Sequence, residues 1–203
     1  MVYFCIITKM TKAEQTKAFI IEKTAPIFNT KGYEGTSMSD ITNATGLTKG
    51  SIYGNFVNKD EVAMAVFDYN LHKVQTIIRS ELTKYQTAKE KLLVYVDVYD
   101  NFLSYPFPQG GCPIMNTATE ADDTHPALRA KAANAITDWK NKIVRLIEQG
   151  IAAREFNKKT NAEETALTMI AIIEGTIMIT KLTGKISYRK SILQSVRTII
   201  NNL

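Results

Sequence analysis

The stretch Thr36 to Asp60, TSMSDITNATGLTKGSIYGNFVNKD, limits this chain more than any other, because its punctuation leaves room only for two short helices joined by a fixed turn and sealed by a third. Ser37 is a suitable N-cap with Asp40 three residues on, and the helix it opens carries Met38, Ile41 and Ala44 on one face. It stops at Gly46, where a left-handed turn that a side chain resists is available to glycine. Thr48 caps a second short helix on which Ile52 and Phe56 share a side at i, i+4 and can pack with Ile41 and Leu47. Lys49, Gly50, Ser51, Tyr53 and Asn55 are left facing outward. Asn58 with Glu61 makes another capping box, so a third helix starts almost at once and fixes the end of the second.

This is a helix-turn-helix pattern, and the outward residues give it chemistry. A helix that enters the major groove of DNA presents its first turn to base edges, and here that turn is Thr48, Lys49, Gly50 and Ser51. A lysine can bond guanine, hydroxyls can bond bases or phosphate, and glycine lets the backbone come close. An ordinary helical hairpin with solvated polar residues satisfies the same spacing, so the pattern alone does not separate the two.

Residues 12 to 72 resemble the N-terminal domain of the TetR family of bacterial transcriptional regulators. The segment TKGSIYGNFVNKD, residues 48 to 60, is close to that family's recognition helix and the start of its connecting helix. The resemblance implies base-edge contacts from Lys49, Gly50 and Ser51, and phosphate contacts from Thr36, Ser37, Thr48 and Tyr53. It implies a further phosphate contact from Lys59 at the N-terminus of the next helix. Two positions depart from the usual pattern: Asn55 stands where His is frequent and Thr42 where a small Ala usually packs. Asn can still donate to phosphate, and Thr is only slightly larger than Ala.

At 203 residues and 45% hydrophobic content the chain can bury a full core, as one large domain or as a small one joined to a larger. A net charge of +5 agrees with a polyanionic partner, although a surplus this small is also ordinary for a cytosolic protein. Gly and Pro are sparse and cluster at residues 106 to 113, so the remainder reads as mostly helix. The expected fold is all-α, with a helix-turn-helix domain at 10–57 and a helical ligand-binding and dimerisation domain at 58–203. Residues 1–9 begin MVYFCII, which is too short to span a bilayer and lacks a basic leader. They read as an upstream extension, or as an apolar tail packed on the domain, with neither export nor a membrane partner. Lys12 to Thr30 forms an amphipathic helix kinked or tightened at Pro26.

From Asn58 to about Tyr85 one long helix carries Val62, Val66, Tyr69, Val74, Ile77 and Ile78 at helical spacing. Such an element can convert a shift in the body into a change of spacing between two readers. Thr87 to Tyr105 follows with Tyr95, Tyr99 and Phe102 on one side, as core or as cavity wall. In the break PFPQGGCP, Cys112 precedes Pro113 and is placed at the N-cap of a short helix running through Met115 to Ala121, where amides and dipole lower a thiol pKa. Thr124, His125 and Pro126 open a helix to about Arg154, with Trp139 as core or cavity wall. Candidate pocket residues are therefore Tyr95, Tyr99, Phe102, Cys112, Met115 and Trp139, joined by Glu174, whose burial among apolar neighbours requires a partner. Residues 111 to 120, GCPIMNTATE, also resemble a segment of a TetR subgroup in which some members sense electrophiles or oxidants through a cysteine here. A buried structural cysteine is the other reading. Cys5 and Cys112 are far apart, and His72 and His125 lack partners at ligand spacing, so neither a disulfide, a metal site nor a cofactor is expected.

Ala162 to Leu182 and Ser187 to Asn201 form a hairpin closed by Thr183, Gly184 and Lys185, and both helices are more apolar than an outer helix should be. One face can go to the core and the other to a partner, with Ala171 and Gly175 small enough for close approach. The TetR resemblance implies a four-helix interface between two subunits; Ile170, Ala171, Gly175, Ile192, Val196 and Ile199 are its candidates. No Gly-rich phosphate loop, nucleophile elbow or HExxH is present, and Glu120, Asp122 and Asp123 read as a solvated helix end rather than a catalytic pair. The chain thus reads as a cytoplasmic, non-enzymatic homodimeric regulator, in the first instance a repressor, that binds near-palindromic double-stranded DNA and is released by a small-molecule effector or by modification of Cys112. A helical enzyme or small-molecule carrier with a merely structural helix-turn-helix is the reading from another class.

Overall fold

The computed structural model describes residues 10–203, so the expectations for residues 1–9 lie outside the described part. Among the described residues there are nine α-helices, one short 3-10 turn and no strand, in agreement with the all-α expectation. Helix α1 (Lys12–Lys31) is opened by Thr11 and Glu14 capping one another and carries Pro26 without interruption. It ends at Gly32, whose φ of 77° and ψ of −179° are open only to glycine. Helices α2 (Met38–Thr45) and α3 (Lys49–Tyr53) have the expected caps at Ser37, Gly46 and Thr48. Helix α4 (Lys59–Leu82) starts from Asn58, whose Oδ1 accepts the Glu61 N–H at 2.9 Å. The return bond of the expected box goes elsewhere: Glu61 Oε2 accepts the N–H of Val57 at 2.7 Å.

Ile20, Ile41, Ile52, Phe56 and Val62 pack α1, α2, α3 and the start of α4 into one buried cluster. Phe67 and Asn70, which the sequence pattern did not single out, extend it along α4, and Asn70 Nδ2 donates to the Ala25 carbonyl at 3.2 Å. Helix α5 (Ala88–Asp100) is shorter than expected, because at Asn101 both the backbone N–H and Nδ2 converge on the Asp97 carbonyl, at 3.0 and 3.1 Å. A 3-10 turn at Phe102–Ser104 follows, and Pro106 and Pro108 prevent the helix from resuming.

Helices α6 (Pro113–Ala121), α7 (Pro126–Ala152), α8 (Ala162–Thr183) and α9 (Ile186–Asn201) complete the body. In it α7 packs on α8, α8 on α9 and α5 on α9, around Leu92, Ile143, Ile147, Met169, Ile173 and Leu193. Arg197 Nη1 lies 2.7 Å from Asp97 Oδ1 and its Nη2 3.4 Å from Asp100 Oδ2, and the buried Arg189 lies 3.3 Å from Asp100, so three ion pairs cross-link α5 and α9.

The loop before α6 is sewn to the end of α1. Asn29 Nδ2 donates to the carbonyls of Gln109 and Gly111 at 2.7 and 3.0 Å, and Asn116 Nδ2 donates to those of Asn29 and Gly110 at 2.9 and 3.0 Å. Gly110 has φ of 94°, and a Cβ on it would lie 2.5 Å from the Asn29 carbonyl oxygen. Gly110→Ala is expected to lower stability by about 2 kcal/mol or more in chemical denaturation. An unchanged midpoint would show that the loop is not held against α1.

Candidate nucleic-acid interface and inner cavity

On the outer side of the helix-turn-helix, Thr48, Lys49, Gly50 and Tyr53 are exposed and Ser51 is half-buried. Thr48 Oγ1 accepts the Ser51 N–H at 3.2 Å, so one hydroxyl both opens α3 and lies on its outer face. Asn55 Nδ2 donates to the Ser51 carbonyl at 2.9 Å and closes the short helix. Ser37 is exposed and exchanges hydrogen bonds with Asp40. The Lys31 ammonium and the Ser37 groups hold the Asp40 carboxyl far below the usual carboxylate range. Thr36 requires a correction. It is fully buried, its hydroxyl donates to the Gly32 carbonyl at 2.6 Å and its N–H to Tyr33, so no polar group is left for phosphate. Lys59 Nζ donates to the carbonyls of Tyr33 and Thr36 at 2.9 and 3.2 Å and sits 4.0 Å from the Tyr33 ring centre, which makes it first a clasp on the α1–α2 turn.

Tyr33 is the hub that sequence reasoning missed. Its N–H and that of Glu34 donate to the Glu120 carboxylate at 2.7 and 2.8 Å, and its hydroxyl bonds Asp60. The His125 ring meets it edge-on at 4.6 Å, while His125 Nδ1 caps α7 by accepting the Leu128 N–H. Burial, reinforced by Asp60, pushes the Tyr33 hydroxyl up to about 12. Glu120 is therefore no solvated helix end: it joins α6 to the turn that carries the reader. Gly32 allows the approach, since a Cβ there would fall 2.3 Å from a Glu120 oxygen.

A cavity of about 220 Å3 lies between α4, α5 and α7. Tyr95, Tyr99 and Trp139 line it; Trp139 stacks on Tyr99 at 5.5 Å and on Tyr95 at 6.4 Å. Four expected members do not line it. Phe102 lies in the 3-10 turn against Phe107 and under Arg189. Met115 is replaced by Ile114, since one step along a helix turns a side chain by about 100°. Cys112 and Glu174 are instead paired with each other, Cys112 Sγ donating to Glu174 Oε1 at 2.9 Å.

The structure has the buried cysteine of the two readings, and this pair opposes the thiolate that a helix N-terminus alone favours. Cys112 is the N-cap of α6, and the amides of Met115 and Ile114 act in the lowering direction. Complete burial and the facing Glu174 carboxylate outweigh them and raise the thiol well above its ordinary value, so the nucleophilic form required for sensing is suppressed. Burial raises Glu174 from 4.5 to about 7. A carboxyl whose folded-state pKa is raised contributes most below the unfolded value and loses that contribution as pH rises through about 7. Glu174→Gln is expected to flatten stability against pH and to exceed the parent above neutrality by up to roughly 3 kcal/mol. Urea denaturation at mildly acid and mildly alkaline pH tests this; an unaltered pH slope would contradict it.

Among the expected subunit-contact residues, Ile170 and Val196 are 5% and 0% exposed and belong to the protein's own core. That is a further correction: α8 and α9 are apolar on two sides, and periodicity does not say which side faces in. Ala171 is exposed, Gly175 opens on empty space, and Ile192 and Ile199 are half-buried. Leu167, Met178 and Leu182 continue the Ala171–Gly175 stripe along the outside of α8.

Residues 20–66 match the family described as bacterial regulatory proteins, tetR family, and residues 88–196 match the tetracyclin repressor-like C-terminal domain. A TetR-family transcriptional regulator from Cytophaga hutchinsonii is 47% identical, with a TM-score of 0.92 over 96% of this chain and 97% of that one. Another from Chloroflexus aurantiacus is 35% identical, with a TM-score of 0.90 over 95% and 97%. The HTH-type transcriptional repressor DhaR of a Mycobacterium species is 23% identical over 80% of this chain and 81% of its own length. Two family matches that together take in the reader and most of the body, on a fold shared almost end to end with the Cytophaga protein, make this chain a member of the TetR family of bacterial transcriptional regulators.

Proposed function

We propose that the protein is a homodimeric repressor in the cytoplasm, whose two readers dock in successive major grooves of a near-palindromic site and are released when a small molecule occupies the cavity. The observation that carries the DNA reading is the exposed first turn of α3, held on a buried core of Ile41, Ile52 and Phe56. Lys49, Gly50 and Ser51 serve base edges and Thr48, Tyr53 and Asn55 serve phosphates, whereas Ser37 gives both its N–H and its hydroxyl to Asp40. Lys59 reaches phosphate only with the donor left over from its two carbonyls. The reader spans 10–57 and the ligand-binding and dimerisation part 58–203. The repressor sign follows the naming of DhaR.

A second copy accounts for the outer side of α8. By length and composition this helix could cross a membrane, yet only 33% of its most apolar window is buried within one chain, and its inner side is packed on α7 and α9. Pairing Leu167, Ala171, Gly175, Met178 and Leu182 with their copies buries that stripe.

Release runs through α6. Ile114 touches the cavity at one end and Glu120 holds Tyr33 and Glu34 at the other, so a displacement of this helix moves the reader. An effector that binds better to a dimer with mismatched reader spacing lowers DNA affinity by that difference. Protein titrated on DNA fragments selected by the parent, with sedimentation in parallel, tests the reading. Lys49→Ala is expected to stay dimeric and lose about 1 to 3 kcal/mol of specific binding, whereas Met178→Glu sediments as a monomer and binds the full site weakly. Variants that both bind and sediment like the parent would overturn it.

A further inference from the structure

We infer that the effector is an aromatic acid of one or two rings, seated with its ring among Tyr95, Tyr99 and Trp139 and its carboxylate toward Arg79 and Lys142. The inference rests on the proposed effector role of the cavity and adds its chemical class. Size comes first. A cavity of about 150 Å3 admits benzene, so the 220 Å3 here holds a substituted ring or a fused pair. The wall comes second. Trp139 lies within 24° of parallel to both tyrosines, so one side of the space offers broad aromatic faces. Val74, Ile78 and Ile114 fill much of the remaining lining, which excludes a strongly hydrated sugar or peptide.

Polar groups then fix the sign of the charge. Arg79 and Lys142 are the exposed members of the lining, and neither forms an ion pair among the described residues. Trp139 is only 7% exposed, and its indole N–H, which can only donate, has no acceptor among the described residues. The cavity thus has two free cations and an unused donor, and no carboxylate lines it. Aromatic faces also attract cations, and Glu174 is nearby. That carboxyl lies outside the lining and takes the Cys112 thiol, and a cationic ligand would have to pass Arg79 and Lys142. The chemistry therefore favours an anion: charge-assisted bonds at the rim and stacking inside.

Calorimetric titration of the full chain with naphthalene-2-carboxylate, its amide and the matching aminomethyl cation tests the assignment. The carboxylate is expected to bind about tenfold or more tighter than either analogue. Arg79→Gln with Lys142→Gln should lower carboxylate affinity about tenfold or more and so remove that preference, and Ile78→Phe, which narrows the cavity, should weaken carboxylate and amide together. Equal or better binding of the amide or the cation, a preference that survives loss of both cations, or no binding by any of the three would overturn the aromatic acid. Release from DNA is scored separately. A carboxylate that fills the cavity with the expected preference but leaves DNA affinity unmoved keeps the ligand class and removes the effector role.

Discussion

The Glu120 carboxylate, accepting the N–H groups of Tyr33 and Glu34, is the contact through which the body of this protein holds its reader. Two amides on one carboxylate are charge-assisted bonds, each worth about 1.5 to 3 kcal/mol. They act on the turn between α1 and α2, from which the orientation of α3 follows. Around them the joint is over-determined: Lys59 clasps the carbonyls of Tyr33 and Thr36, Asp60 takes the Tyr33 hydroxyl, and Asn29 and Asn116 sew α1 to the loop before α6. Reader and body therefore meet through fixed polar contacts rather than through α4 alone. A long helix transmits a tilt, but these bonds give α6 a direct hold on the reader.

In the proposed function, that hold gives the cavity a mechanical outlet. The aromatic wall belongs to α5 and α7, which are braced by the body core and by the Asp97 and Asp100 ion pairs to α9. Helix α6 is shorter, packs mainly on α7, and brings Ile114 to the cavity. Of the elements around the space, it is the one that carries both a cavity residue and the Glu120 bonds to the reader. The Cys112–Glu174 pair sits at its first turn and holds that end by a single weak sulfur donor. A protonated carboxyl there is cheaper to bury than a charged one, which is why the pair tolerates its apolar setting.

Local chemistry was legible in the sequence wherever one or two neighbouring residues decide it. Ser37 with Asp40, Gly46 and Thr48 each fix a helix end by bonds within a few residues, Pro113 fixes one by its restricted backbone angle, and the structure has those ends. Contacts made across the chain were not legible. Tyr33 and Glu120 are 87 residues apart and Asn29 and Gln109 are 80 apart, and no periodicity joins them. Burial was no more legible: Cys112 sits at a position suited to a thiolate but faces Glu174, 62 residues on, and Thr36 is buried with its polar groups spent on Gly32 and Tyr33. Ile170 and Val196 lie on helices apolar on two sides, where only the packed body decides which side is core.

Amide hydrogen exchange at Tyr33 and Glu34, compared between the parent and Glu120→Ala, tests the hold of α6 on the reader most directly. Exchange at these two amides is expected to rise by about tenfold or more in the variant, with the α7 amides around Ile143 unchanged. Equal protection in parent and variant would contradict it, and would leave α4 and the Asn29 and Asn116 bonds to join body and reader.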